Sequence, residues 1–342
     1  MPMVLIVGAG IGGLMLANLL QKGNIPFLIF ERAKTVKPLG SAMSIGSCFR
    51  LVFDQLGIYE EFNKIGKPNH KMEVYNGDLD PLFTLDFQAR ESITGSVEHI
   101  VARPDLYDLL LRQIPEEKIL MNKKVLSFMQ NNDGVMIRCS DNQTHHGDIL
   151  VGADGAYSAV RQYLYKDLKA KKMLPKSDDV PLPFNCVCLV GQTEVLDPEE
   201  FPGMKLERSH FQSILGSDEY SFLNSDTLKT HDSFRNSEWG PEAAQAMCKE
   251  VHHFKLPIGK DGAVVTIGDL IDRTPKDLIS KVMLEEKIFD TWYDRRTVLL
   301  GDVPTNNALF SMSQVESGCG CGCIVRDSGR YDACQLDLYT PN

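Results

Sequence analysis

The stretch Val4-Leu5-Ile6-Val7-Gly8-Ala9-Gly10-Ile11-Gly12-Gly13, read together with Glu31, decides the fold. Val4 to Val7 is an unbroken apolar run that stops at a glycine, as a strand buried on both faces of a parallel sheet does. Ile11 to Gln21 is rich in Leu, Met and Ala and predicts a helix; Pro26 to Phe30 predicts the next strand. Strand, helix and strand within about thirty residues make the first unit of a doubly wound sheet. Its glycines follow G-x-G-x-x-G. Gly8 permits the tight turn, Gly10 lets a pyrophosphate approach the backbone, and Gly13 lets the helix pack close to the sheet. Ala17 extends that small-residue packing. Glu31 ends the second strand eighteen residues after Gly13. A carboxylate there accepts hydrogen bonds from ribose hydroxyls, and Arg32 beside it is taken into the same site. An acid suits an unphosphorylated ribose, either NAD or the adenosine half of FAD, and this unit leaves both open.

Working outward, Ser47 to Leu56 predicts a helix closed by Gly57. Met72 to Phe87 alternates, and Asn76-Gly77 is a hairpin turn signal, so this stretch reads as antiparallel sheet of a second, inserted domain. Pro104 and Asp105 open a helix over Leu106 to Gln113. Val125–Met129 and Val135–Cys139 are strands joined by the turn at Asn131–Gly134, and Ile149–Val151 is a short buried strand. Lys166 to Pro183 reads as a surface connection and domain boundary. Phe184–Thr193 predicts a strand of the second sheet and Pro241–Val251 a helix. Thr297–Leu300 looks like a return to the first domain. The expected domains are 1–70 with 89–180 for the dinucleotide, 71–88 with 181–285 for substrate, and 286–342 as the return.

Two further motifs choose the cofactor. Leu150-Val151-Gly152-Ala153-Asp154-Gly155-Ala156-Tyr157-Ser158-Ala159-Val160-Arg161 is an apolar strand, an Asp-Gly turn and a helix start. Val298-Leu299-Leu300-Gly301-Asp302 is a strand ending in Gly-Asp. With the first motif, this order resembles the class A FAD-dependent flavoprotein monooxygenases, the para-hydroxybenzoate hydroxylase-like family, and in wording the fungal FAD-dependent monooxygenases. The resemblance covers most of residues 1–302. It implies an α/β fold, in which a Rossmann-like FAD-binding domain holds an inserted α+β substrate domain with a mostly antiparallel sheet. It also implies that Asp154 and Gly155 lie near the FAD pyrophosphate and the approaching nicotinamide. Asp302 would meet the ribityl chain and Arg103 the flavin chain. Ala42, in the small-residue loop Leu39-Gly40-Ser41-Ala42-Met43-Ser44-Ile45, would let FAD lie close to the backbone. The implied reaction is NAD(P)H reduction of FAD, capture of O2 as a flavin C4a-hydroperoxide, and transfer of one oxygen to an aromatic or other apolar small molecule. Because the flavin carries that chemistry, no catalytic acid or base is assigned; His99, near Arg103, could reach the flavin region but reads rather as a packed or surface histidine. For Asp154-Gly155 alone, an ordinary turn capping a helix is the alternative.

After Asp302 the sequence departs from the family. Val303-Pro304-Thr305-Asn306-Asn307 stands where a His and a glycine-rich helix start are expected, and Gly318-Cys319-Gly320-Cys321-Gly322-Cys323 follows. The C-x-C-x-C spacing does not fit a zinc site, and no metal is expected. A shifted reading frame or mis-spliced gene model near residue 303 is the preferred account. Gly216 to Asp232 is short and polar where further strands of the substrate sheet are expected. Two rival functions therefore stay open: an FAD-dependent reductase or dehydrogenase that never oxygenates, and an inactive, truncated relative.

Composition sets the outer bounds. The chain has 342 residues, 43% hydrophobic and 24% charged, which suits about two globular domains. Lys plus Arg is 36 against Asp plus Glu 46, a formal net charge of −10, which disfavours nucleic acid as partner. No apolar run approaches the ~20 residues of a membrane span. The start has no basic segment or cleavage site, so a cytoplasmic protein with free thiols among its nine cysteines is expected. The pairs His145-His146 and His252-His253 read as solvated, as do the lysines at 169, 171, 172 and 176.

Overall fold

The computed structural model describes residues 1–36, 42–76, 78–180, 184–197, 199–201, 208–216, 241–256, 263–301, 305–307, 323–325 and 332–336. Val4–Val7 lies in a six-stranded sheet ordered Tyr293–Asp294, Thr297–Leu299, Ile149–Gly152, Val4–Val7, Phe27–Phe30, Ile119–Leu120. The pairings are parallel except for the outer Tyr293–Asp294 strand. Side chains alternate across a strand, so the apolar run divides between two cores. Val4 and Ile6, with Phe27, Ile29 and Val151, meet Leu14, Phe53, Phe62, Leu106 and Leu109 of four helices. Leu5, Val7, Phe30 and Leu150 meet Leu164 and Leu168 of the helix Ala159–Ala170 and the three-stranded sheet carrying Val125, Val135 and Ile137. Each such buried side chain contributes about 1.5–3 kcal/mol, so packing holds the strands and their end loops are free to be glycine-rich. The buried Asn18 ties the first helix, Ile11–Lys22, to Arg103–Leu111 by donating to Leu14 O (2.8 Å) and Leu110 O (3.0 Å).

A separate core belongs to an antiparallel sheet ordered Thr305–Asn307, Ile279–Ile288, Phe184–Val195, Arg208–Gly216, Asp332–Leu336. Leu189 packs there with Met247 and Val251 of the helix Pro241–Val251 and with Ile267 and Leu270. Tyr75 and Leu79 of the hairpin formed by Lys71–Asn76 and Pro81–Asp86 join the same core, as the alternating pattern of that stretch suggests.

Two expectations change. Lys166–Ala170 belongs to the helix Ala159–Ala170, because Leu164 and Leu168 continue a buried stripe four residues apart; the connection begins at Lys171. The lysines at 169, 171, 172 and 176 are exposed as expected, with Lys169 paired to Asp179 and Lys171 to Asp167. The return over 286–342 divides. Thr297–Leu299 joins the parallel sheet, whereas Thr305–Asn307, Cys323–Val325 and Asp332–Leu336 pair with Ile279–Ile288, Lys71–Asn76 and Arg208–Gly216. Gly216 pairs with Cys186; residues 217–232 lie outside the described residues, as do Leu39–Ser41 and Gly77.

Candidate cofactor site

Four segments far apart in sequence emerge from the same end of the parallel sheet. Val7 lies opposite Phe30 on one side and Gly152 on the other, and Gly152 lies opposite Leu299. Gly8, Glu31, Ala153-Asp154 and Leu300-Gly301 therefore leave the carboxyl ends of four adjacent strands. The chain departs to opposite sides of Val4–Val7 here, which is where open α/β sheets bind ligands.

The glycines fall into two groups. Gly8 has φ +105°, and a Cβ on it would lie 2.3 Å from Ala153 O; a Cβ on Gly13 would lie 2.1 Å from Gly8 O. These two are filled by the protein itself: the turn rests on the Asp-Gly segment and the helix rests on the turn. Gly10, Gly155 (φ +82°) and Gly301 (φ +67°) have nothing within 4 Å of the Cβ position. A Cβ on Gly12 would lie 4.0 Å from Gly301 Cα, so Gly301 sits beside the start of the first helix. Three segments thus leave the side of a glycine open at one end of the sheet. That arrangement fits a dinucleotide such as FAD, whose pyrophosphate must lie against backbone N–H groups.

The Glu31 carboxylate shapes this end. Its Oε2 accepts from Ala9 N (2.9 Å) and its Oε1 from Ala33 N (2.8 Å). The surrounding backbone is fixed by Glu31 N–H to Leu120 O, Lys123 N–H to Glu31 O, and Asn122 N–H to Ala33 O. A carboxylate has about four lone-pair sites, so acceptor capacity remains for ribose hydroxyls. Tyr107 is close enough that, after burial, the Glu31 charge helps push its hydroxyl pKa up. Arg32 is exposed.

Asp154 turns the other way. It accepts from Ser158 Oγ (2.5 Å), Ala159 N (2.6 Å) and Val160 N (3.4 Å), while Ser158 Oγ accepts from Arg161 N (3.0 Å). The capping alternative thus describes the carboxylate of Asp154, and the open Cβ position belongs to Gly155.

Ala42 and Arg103 meet through a small sheet that sequence reasoning missed. Ala42–Ile45 and Lys67–Asn69 flank Glu98–Ala102, and Ala42 lies opposite Ala102, next to Arg103. Strands of 4, 3 and 5 residues, one holding a proline, are too short for a periodic signal. Arg103 opens its helix and is exposed. Asp302 lies outside the described residues.

His99 is packed, not aimed at ligand. Its Nδ1 lies 3.0 Å from Val97 O and its Nε2 3.0 Å from Asn63 Oδ1, and burial holds its pKa below the usual value. His145 is not solvated as expected: its ring stands edge-on to Phe30 at 4.8 Å and its buried Nε2 has no hydrogen-bond partner. Cys48, Cys139 and Cys248 are free thiols, and burial pushes the pKa of Cys139 and Cys248 up. Among the described residues no group of three or more His, Cys, Asp or Glu side chains could hold a metal; Cys319 and Cys321 lie outside them. Among the described residues, too, no helix is long and apolar enough to cross a membrane.

Residues 2–186 match the model of the FAD binding domain family. The chain is 26% identical over 336 residues to the FAD-dependent monooxygenase dpasE of Apiospora sacchari, covering 95% of this chain and 67% of that protein. It is 27% identical to the FAD-dependent monooxygenase nvfK of Aspergillus novofumigatus, covering 87% of this chain and 64% of the relative. The chain thus spans about two thirds of the length of these fungal relatives. Among solved structures it resembles Klebsiella pneumoniae HpxO complexed with FAD and uric acid. That match has a TM-score of 0.60 at 18% identity and covers 91% of this chain and 75% of that one. The 2,6-dihydroxypyridine-3-hydroxylase of Arthrobacter nicotinovorans matches with a TM-score of 0.64 at 14% identity, covering 92% and 81%. These two likenesses concern the fold.

Proposed function

The chain belongs to the FAD binding domain family, among its FAD-dependent monooxygenases, and from that premise we propose that it oxidises NAD(P)H and inserts one atom of O2 into an aromatic or other apolar small molecule. The observation that carries this reading is the space beside the Cβ positions of Gly10 and Gly155, near Glu31, at the ends of adjacent parallel strands.

Each residue has a part in that reading. Gly8 and Gly13 let turn, helix and sheet close on one another. Gly10, at the start of the helix, offers N–H groups to phosphate. Glu31 holds the adenosine ribose, with Arg32 beside it. Gly155 gives the pyrophosphate room, while Asp154 holds the turn that presents Gly155. Ala42 and Arg103 line the flavin chain, and Asp302 accepts from ribityl hydroxyls. When bound, FAD supplies the electron transfer and the activation of O2. The protein positions it and keeps water away; the antiparallel sheet carries the substrate.

A second reading rests on Val303-Pro304, which stands where the family places a His and a glycine-rich helix start. It is a chain that binds FAD weakly or not at all. One experiment separates the two: the visible spectrum of the purified chain with and without added FAD. A bound-flavin band that bleaches with NADH or NADPH supports the monooxygenase reading, and soluble protein with no flavin band supports the second. Hydrogen peroxide without oxygenated product would instead indicate a reductase.

A further inference from the structure

Two stretches join the parallel sheet to the antiparallel sheet in the second half of the chain. One leaves after the helix Ala159–Ala170, and the other returns from the strand Ile279–Ile288. They cross at Asp178, whose side chain is buried, 5% exposed. Its Oδ1 accepts from Asp290 N (2.8 Å) and its Oδ2 from Thr291 N (2.9 Å). Around it Ser177 Oγ donates to Asp290 Oδ2 (2.5 Å), Lys287 Nζ to Val180 O (2.7 Å), and Tyr165 Oη to Thr291 O (2.9 Å).

The crossing is also joined to the Asp-Gly turn. The Arg161 guanidinium lies over the buried Phe289 ring at 4.3 Å and donates to Ala156 O at 2.6 Å. Arg161 N–H donates to Ser158 Oγ, which donates to Asp154. A continuous run of contacts therefore links Asp154-Gly155 to the place where the chain passes between its two halves. The earlier crossing, at residues 70 and 87, is joined by the backbone bond from Phe87 N–H to His70 O (2.8 Å).

We propose that Asp178 is a positioning residue: it clamps the outgoing and returning stretches and so sets the orientation of the antiparallel sheet against the Asp154-Gly155 turn. What the two parts hold rests on the function proposed above; the clamp itself does not. The chemistry of the side chain is specific. A carboxylate offers acceptors to two N–H donors at once, whereas an amide offers one acceptor and turns an N–H toward the other donor. Removal of the carboxylate takes the acceptor from two partly buried N–H groups at once.

The test uses Trp292, whose indole donates to Phe289 O at 2.6 Å within the crossing. The chain has two tryptophans, so Trp239→Phe leaves Trp292 as sole reporter. In that background Asp178→Asn and Asp178→Ala are expected to shift Trp292 emission to the red. They should also speed hydrogen exchange at the amides of Asp290 and Thr291 about tenfold or more. FAD affinity should stay within about threefold, because the glycine segments are untouched, while flavin reduction by NADPH slows about tenfold. Unchanged exchange and emission would overturn the clamp. FAD affinity and reduction rate falling in proportion would overturn its positioning role. If Asp178→Ala does not fold, Asp178→Asn and Tyr165→Phe, which removes the donor to Thr291 O, carry the same readouts. A wild-type chain without flavin defeats the cofactor reading alone, since exchange and emission still decide on Asp178.

Discussion

Gly8 and Ala153, brought together across two parallel strands, leave no room for a methyl group between them: a Cβ on Gly8 would lie 2.3 Å from the Ala153 carbonyl oxygen. Since the obstacle is backbone and Gly8 also has φ +105°, neither rotamer change nor local relaxation removes it. Gly8→Ala is expected to destabilise the fold by about 2–4 kcal/mol, the sum of overpacking and left-handed strain. Urea denaturation of wild type and variant measures it. A loss under about 0.5 kcal/mol would mean that the turn does not rest on the Asp-Gly segment.

Gly10→Ala should behave in the opposite way. Nothing lies within 4 Å of its Cβ position, so the denaturation midpoint should hardly move. The methyl would occupy the space offered to the pyrophosphate and weaken FAD binding about tenfold or more, ~1.4 kcal/mol. Flavin titration followed by fluorescence gives the affinity. Equal affinity in both proteins would place the phosphate elsewhere.

Glu31→Ala removes an acceptor from Ala9 N–H and from Ala33 N–H as well as the proposed ribose contact. Its effect should appear in both measurements: about 1–2 kcal/mol of stability and at most a few kcal/mol of FAD binding. Asp302→Ala is expected to weaken FAD binding by a similar amount. Flavin affinity unchanged in both variants would defeat the assignment of these carboxylates.

Acid should weaken the fold through His145 and His99. Burial holds both below the ordinary value of 6.5, so the unfolded chain binds protons more readily than the folded one. Stability then rises with pH in the window below 6.5, is complete above it, and is lost as pH falls through the folded values. Denaturation midpoints between pH 7.5 and 5 record the slope. His145→Phe, which keeps a ring against Phe30, should flatten it; an unchanged slope would remove His145 as a contributor.

Much of this was written in local sequence. A buried strand, a tight turn and a close helix start each need a particular residue within a short span. Val4 to Val7, Gly8, Gly10, Gly13 and Glu31 could therefore be read in order, and the same holds for Asp154-Gly155, Gly301 and the hairpin of Met72 to Phe87. The two-residue turn at Asp154-Gly155 was legible, but which of its residues faces open space was not. That depended on the Ser158 hydroxyl and the amides of the following helix. His145 looked solvated because nothing near it in sequence reveals that Phe30 lies against it.

What the sequence alone determined is the set of backbone conformations and small-residue gaps that a dinucleotide site requires, because those are demands of single positions and of nearest neighbours. Only the tertiary structure decided which gaps the protein fills itself and which it leaves open. It also decided that Asp178 joins amides 112 and 113 residues away. Such contacts form between groups whose distance is set by the packing of whole strands and helices, and no periodicity along the chain encodes them.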